Sequence, residues 1–474
     1  MMLGVIMLVS LLTRSLSHAF EYKSNYYSVA KEVINWKKNS LDIPSNKDLL
    51  SERSLIYAGT ASIDWYAISL GRLGLSDSFK PYLDKVERNI ITRYQAEGQL
   101  DRVRATEWHR TGLAILSCGG DPTRLKDGEI NLVEDGSYNR GKKMALGAQG
   151  DNALFWGLIL MDGMRYKIPE TAVDTREKII QSILGKQKLD GGFAFGNISS
   201  PDATGMALQA LAPYYNIDGA IRVAIDQAVC YLSNIQQQNG RFLTNGEESC
   251  ESLVQAIIGL CSLGINPEKD SRFVKNGHSL VEAFLTFQQP DRGFGHLSNQ
   301  GRSDSMASEQ ALLALTALIR FDLRLRNLYD FRKEPDSSMK EMIRKLDIEI
   351  EQLKGKPENE KIEQLYLKYQ EIPIQERSYV RNYGELLEAM NELNLTKSDE
   401  NFWLSMNQNS SGAGVVIRIQ DGTEIVINKQ VSVSGKRKQN VTRRVLVIGL
   451  SFLFFILIIV LNKIRKHKQT REND

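Results

Sequence analysis

Apolar and polar positions along the chain alternate between two kinds of helical stretch. One kind is almost continuously apolar: WYAISLGRLGL, TGLAILSCGG, NALFWGLILMDG, TGMALQALAPY, LVQAIIGLCSLG and EQALLALTAL. A leucine holds the same place in each, at Leu70, Leu116, Leu158, Leu211, Leu260 and Leu315, so a unit recurs about every 49 residues. The other kind is amphipathic, with apolar residues three and four apart, as at Val223, Ile225, Val229 and Leu232. That spacing buries one stripe per helix and predicts helices over 25–38, 79–94, 171–187, 218–238 and 277–289. The partner expected before Leu158 is poorly formed, because residues 120–150 are Gly-rich and polar. Each unit reads as an outer amphipathic helix, a loop and an inner apolar helix. Ala, Gly and Ser in the inner helices let backbones approach closely.

The loops repeat as well. QKLDGGF, QQNGRF and QQPDRGF begin at Gln187, Gln237 and Gln288 and close on Phe193, Phe242 and Phe294. Glycine permits the tight turn, Phe packs between neighbouring hairpins and Gln caps helix ends.

Outside the repeats the pattern changes three times. Residues 331–400 are rich in Glu, Lys and Arg, with Met342, Ile343, Leu346, Ile348, Ile350 and Leu353 at helical spacing. They predict two or three short helices forming a stalk with a solvated charged face. Residues 401–440 form a linker in which Asp421 and Gly422 separate two alternating apolar runs, the pattern of a β-hairpin. Val445–Leu461 is uncharged and flanked by basic residues, so 441–462 is expected to span a membrane and 463–474 to follow as a short basic tail. At the start, LGVIMLVSLL and Ser17-His18-Ala19 read as a signal peptide over 1–19. Together these predict a single-pass protein of the cell membrane, its body extracytoplasmic and its tail cytoplasmic.

Charge sharpens this picture. The chain is formally +3, but the basic residues beyond 436 and Arg14 supply more than that, leaving the body mildly acidic and arguing against a nucleic-acid partner. Four cysteines, none in a CxxC pair, exclude a disulfide scaffold and leave none, one or two bridges among Cys118, Cys230, Cys250 and Cys261 open.

Residues 20–330 resemble the α/α-toroid superfamily, which includes protein prenyltransferase β subunits, squalene and terpene cyclases, complement thioester domains and cobalamin carriers. The Gln…Gly…Phe loops are similar to its QW-type repeat, with Phe where Trp is commoner. SCESLVQAIIGLCSLGINP, FVKNGHSLVEAFLTFQQPDRGFGH and MASEQALLALTAL resemble the prenyltransferase and squalene-oxidase repeat domains of Gram-positive surface proteins. The segment YLKYQEIPIQERSYVRNYGELLEAMNELNL is similar to helical spacers of such proteins. The resemblance implies an all-α fold, six helical hairpins closed into an α6/α6 barrel. It does not by itself imply a function, since the superfamily mixes enzymes with carriers.

The enzymes of the superfamily can be tested residue by residue. Glu248, Ser249 and Cys250 stand near the place of the prenyltransferase zinc pair, but no His opens the Leu315 helix to complete the set, so no metal and no cofactor is expected. No Cys has the Gln three positions later that a thioester requires. Asp202, in PDATG, falls where the proton-donating Asp of a protonating cyclase would sit, without the flanking acids of that motif. As a lone exposed carboxylate it is expected to stay ionised near its model value. It resembles Asp64, Glu107, Asp151, Glu251 and Glu309, other acids near the starts of inner helices, where a negative charge favours the helix dipole.

In a toroid the first turns of the inner helices surround one mouth. The candidate binding residues there are Asp64, Trp65, Glu107, Trp108, Asp151, Trp156, Cys250, Glu251 and Glu309, with Phe155 beside them. The expected function is therefore binding of a small molecule or a surface protein. The alternative is a terpene cyclase- or prenyltransferase-like enzyme on an isoprenoid or lipid substrate, with Asp202 as the acid.

Overall fold

Each apolar stretch becomes a helix, and most of the amphipathic stretches alternate with them. A computed structural model describes residues 25–392 apart from 217–218, 245 and 354–357, together with two strands at 415–418 and 424–427. The chain runs α1 (Asn25–Ser40), α2 (Ala61–Arg72), α3 (Phe79–Glu97), α4 (Thr106–Ser117), α5 (Asn152–Gly163), α6 (Arg176–Leu184), α7 (Pro201–Leu211), α8 (Gly219–Ile235), α9 (Cys250–Ser262), α10 (Leu280–Leu285) and α11 (Ser305–Asp322). Three more helices follow: α12 (Ser337–Glu351), α13 (Asn359–Glu371) and α14 (Tyr383–Glu392). The fold is all-α. Its strands are two short antiparallel pairs among the described residues: β1 (Val274–Lys275) with β2 (His278–Ser279), and β3 (Val415–Arg418) with β4 (Glu424–Ile427).

The six apolar helices carry the leucines of the repeat, all at most 3% exposed except the half-buried Leu116. They pack in succession: α2 on α4, α4 on α5, α5 on α7, α7 on α9 and α9 on α11, and α11 returns to α2. Neighbours run in the same direction. Near the helix starts, Ser252 of α9 reaches Asp202 of α7, and Arg110 of α4 reaches Asp64 of α2. At the other ends, Gly71 of α2 lies against Ser117 of α4. Small residues set the spacing, for a Cβ on Gly205 would stand 2.4 Å from the Gln255 carbonyl oxygen.

The loop repeat is structural, with one shift of register. Gln187 donates to the Gly191 and Ala224 carbonyls at 2.8 and 2.7 Å, tying its own turn to the next outer helix. In the second loop the residue that does this is Gln236, one place before the expected Gln237, donating to Gly240 and Phe273 at 3.1 and 3.0 Å. Counting back from the buried Phe193, Phe242 and Phe294 gives the true register of Gln187, Gln236 and Gln288. Gly191 and Gly240 have φ of 84° and 81°, the left-handed region that glycine enters without strain.

Two predicted helices are shorter than expected, the one over 171–187 being confined to α6. The helix expected over 277–289 shrinks to α10, because Asn276 and Gly277 make the turn of the β1–β2 hairpin and Ser279 then starts the helix with a capping box to Glu282. Over residues 120–150, where the outer partner is expected to be poorly formed, the chain holds short 3-10 and π turns at Lys126–Gly128, Glu134–Tyr138 and Arg140–Lys142.

Helices α12, α13 and α14 have a core of their own, including Ile343, Leu346, Ile350, Leu365 and Leu386, with Tyr369 and Tyr383 stacked at 4.1 Å. The expected solvated face does not hold at Asp347, Glu376 and Arg377, which are buried. Arg377 donates to the Ile372 and Gln370 carbonyls and Asp347 accepts from Arg381 N and Asn382 N, within their own region, while Glu376 pairs with the preceding body. Arg326 grips Glu376 with two hydrogen bonds of 3.0 and 2.9 Å, and the Arg381 guanidinium lies 3.8 Å from the Phe321 ring centre. The expected signal peptide at 1–19, the span at 441–462 and the tail lie outside the described residues. Among the described residues no helix is long and apolar enough to cross a membrane.

Candidate functional site

The starts and ends of the six inner helices are chemically different. At the C-terminal ends a strap, residues 326–331, crosses from helix to helix. Arg72 at the end of α2 donates to the carbonyls of Asn327 and Asp330 at 2.7 and 2.8 Å. Asn327 donates to the Ser262 carbonyl of α9 at 2.8 Å, and Phe331 to the Gly163 carbonyl of α5 at 2.8 Å. Tyr379 of the α12–α14 region donates to Asp330 at 2.8 Å, holding the strap from outside. That end is covered.

Side chains also meet between helices that are not neighbours. Trp65 of α2 and Trp156 of α5 make a ring contact at 5.4 Å. Tyr329 of the strap meets Trp156 edge-on, also at 5.4 Å. Three amides link the other side: Gln209 donates to Gln255 at 2.9 Å and Gln255 to Gln310 at 3.1 Å.

At the N-terminal ends most of the predicted acids are present, and most have internal partners. Asp64 is fully buried and accepts from Gly59 N, Tyr82 Oη and Arg110 Nε at 2.9, 2.7 and 3.0 Å. Arg110 turns its other face to Glu107 in a bidentate pair of 2.8 and 3.0 Å. Burial lifts the Asp64 carboxyl, against the pull of Arg110 and Tyr82. Burial also works to raise Glu107, but the hydrogen bonds and charge of Arg110 hold it below the usual carboxylate range. Asp151 precedes α5 and pairs with Lys186 at 3.1 Å.

Asp202 corrects the expectation of a lone exposed acid. It is half-buried and accepts from Ser252 Oγ at 2.8 Å, while Ser249 Oγ donates to Ser252 Oγ at 3.0 Å. Burial raises its carboxyl above the ordinary value, opposed by Ser252, its own backbone N–H and the His296 charge. Glu251 is likewise raised by burial and lies 2.7 Å from His296 Nδ1. Burial would lower His296, but the Glu251 charge and hydrogen bond outweigh it and raise it. Glu309 sits one turn into α11. Desolvation pushes it up to about 8 against the charges of Lys37 and Arg110.

Three candidates leave the site. Trp108 is buried on the far side of α4, where Arg140 covers its ring at 4.4 Å and its Nε1 donates to Tyr94 Oη at 2.8 Å. Phe155 packs edge-on against Phe193 at 6.0 Å. Cys250 is fully buried, its thiol pushed well above the usual range by burial. All four cysteines are unpaired thiols, which settles the open question of bridges. Among the described residues no group of three or more His, Cys, Asp or Glu is placed to hold a metal ion.

A feature that the sequence pattern does not reveal lies in the segments that lead into the inner helices. The loops and first residues leading into five of the six inner helices carry exposed apolar side chains: Ile56 and Tyr57 before α2, Val103 before α4, Phe195 and Ile198 before α7, Leu243 before α9, and Met306 in α11. Their exposures run from 39% for Tyr57 to 80% for Ile198. Single exposed apolar residues are ordinary, but a set gathered at one end is the mark of a contact surface. No family model matches the chain, and no curated protein matches it.

Proposed function

We propose that the chain is a membrane-anchored extracytoplasmic protein whose hairpins form an α/α toroid, and that the N-terminal end of its inner helices binds an apolar ligand or surface partner. The return of α11 to α2 supports the toroid. The observation that carries the function is the apolar collar, from Ile56 and Tyr57 round to Met306, set about partly neutralised acids at the one end that the strap leaves free. An apolar rim with a few convergent polar groups suits capture of a greasy molecule or side chain. Binding over turnover is supported by the contacts of Trp65, Trp156 and Tyr329 and the Gln209–Gln255–Gln310 chain between the inner helices, where a folding polyene would need space.

One observation favours the enzymatic alternative. Burial raises the Asp202 carboxyl, the direction an acid for alkene protonation requires, against the hydrogen bond from Ser252. A turnover assay separates the two. The full chain, incubated with squalene or a polyprenyl diphosphate with and without zinc, is expected to return them unchanged. Product that forms with the native chain and disappears in Asp202→Asn, with the fold intact, would establish the enzyme instead.

A further inference from the structure

The two halves of the collar end differ in how their acids are satisfied. On the α2–α5 side Asp64 and Glu107 pair with Arg110, and Asp151 pairs with Lys186. On the α7–α11 side Asp202, Glu247, Glu251 and Asp304 make no ion pair with a lysine or arginine among the described residues. The one basic group paired with any of them is His296, 2.7 Å from Glu251 and 3.8 Å from Glu247. Asp304 caps α11 through Ala307 N and also accepts from His296 N. One imidazole does not balance four carboxylates.

Glu309 is a separate observation. It lies on the same face of α11 as the exposed Met306, one turn further in. The residue is 7% exposed, yet its carboxyl makes no hydrogen bond and no ion pair among the described residues. The two cations whose charge reaches it are engaged elsewhere. Arg110 is taken up by Asp64 and Glu107, and Lys37 lies over the Tyr66 ring at 5.1 Å. A buried carboxyl without a partner takes up either a proton or a cation. By itself Glu309 takes the proton, since burial pushes it up to about 8.

These acids form one group. The Asp304 charge bears on both Glu251 and Glu309, raising each. Helical spacing puts Glu251 on the face of Gln255, and Asp202 on the face of Gln209, both nearer the free end. Those amides belong to the chain that links α7, α9 and α11.

Resting on the reading of this end as an apolar binding site, we infer that its ligand is a cationic amphiphile, with a primary ammonium head among Asp202, Glu251 and Glu309 and an apolar tail along the rim. The rim residues Phe195, Ile198, Leu243 and Met306 lead into or open the three helices that carry those acids. An ammonium brings one positive charge and three N–H donors to ionised carboxylates, which only accept. It takes the place of the Glu309 proton. A carboxylate head would meet like charge, and an uncharged head would leave Glu309 protonated.

The test titrates the full chain by calorimetry at pH 7 with octylammonium, octyltrimethylammonium, octanol and octanoate, each below its micelle concentration. Octylammonium is expected to bind about tenfold tighter than octanol or more, the trimethyl form less tightly than the primary amine, and octanoate most weakly. Binding of octylammonium is expected to release protons, read from the heats in buffers of different protonation enthalpy. Glu309→Gln keeps the shape and the uncharged state of the native side chain. It is expected to fold, to bind octanol as the native chain does, and to lose both the proton release and most of the preference for octylammonium. Equal affinity for octylammonium and octanol, a trimethyl form bound as tightly as the primary amine, or an undiminished preference in Glu309→Gln would overturn the ammonium site and leave the collar reading standing. Failure of all four to bind would overturn both.

Discussion

Replacing Arg110 by Met should cost about 3–5 kcal/mol, because removing one partner of a buried ion pair strands the charge that remains. Here the stranded groups are two. Asp64 would keep Tyr82 and Gly59 but lose its cation, and Glu107 would lose both bidentate hydrogen bonds. Methionine fills much of the arginine volume, so the loss reports charge and not a cavity. The pH dependence fixes the cause. In the native chain the depressed Glu107 carboxyl contributes stability above its unfolded pKa, and that contribution is lost as pH falls through the folded value. In Arg110→Met the Asp64 carboxyl rises further, so its contribution is full below the unfolded pKa of about 4 and is lost as pH climbs through the raised value, while Glu107 keeps only Arg93 and Arg104 at 3.8 and 3.9 Å. The deficit of the variant, measured by urea unfolding, should therefore be largest near neutral pH and shrink toward pH 4. A deficit independent of pH would mean that Arg110 acts through packing alone.

The second large effect reverses a usual sign. Glycine to alanine inside a helix ordinarily stabilises by about 0.5–1 kcal/mol. At Gly205 the new methyl would meet the Gln255 carbonyl oxygen at 2.4 Å and the Ala256 nitrogen at 2.8 Å, backbone atoms that cannot swing away. Separating α7 from α9 would also loosen the next contact round the circuit, so Gly205→Ala is expected to lose about 1–3 kcal/mol or more. Gly219→Ala at the start of α8 is the control, since its Cβ would meet only the tip of Arg222 at 3.8 Å. It is expected to be neutral or slightly stabilising by the same chemical denaturation. Equal gains at both positions would contradict the close approach of the inner helices.

The repeat was legible because burial imposes it. A leucine that must face its neighbours on every unit leaves a period near 49 residues, and Phe193, Phe242 and Phe294 keep the same period for the same reason. Which face of an inner helix a residue occupies was less legible. Every residue of α4 from Glu107 to Ile115 and of α5 from Ala153 to Gly163 is buried, so no polar face marks inside from outside. Trp108 was misplaced on that account. The pairings at the helix starts were hidden for another reason: Asp64 and Arg110 are a whole repeat apart, and His296 reaches Glu251 from a loop with no helical period. The apolar collar was invisible because loop residues such as Ile198 and Leu243 show no periodicity, and only their measured exposure separates them from core.

The central claim is that the collar end binds an apolar partner and leaves it chemically unchanged. The most direct test is native mass spectrometry of the full chain beside the double variant Phe195→Ser, Ile198→Ser. Both side chains are exposed, so the variant should unfold at the same temperature as the native chain. The account predicts a bound species on the native chain, recovered intact on extraction, and its loss in the variant. A native chain that carries nothing, a variant that carries the same species, or an extract containing a converted product would contradict it.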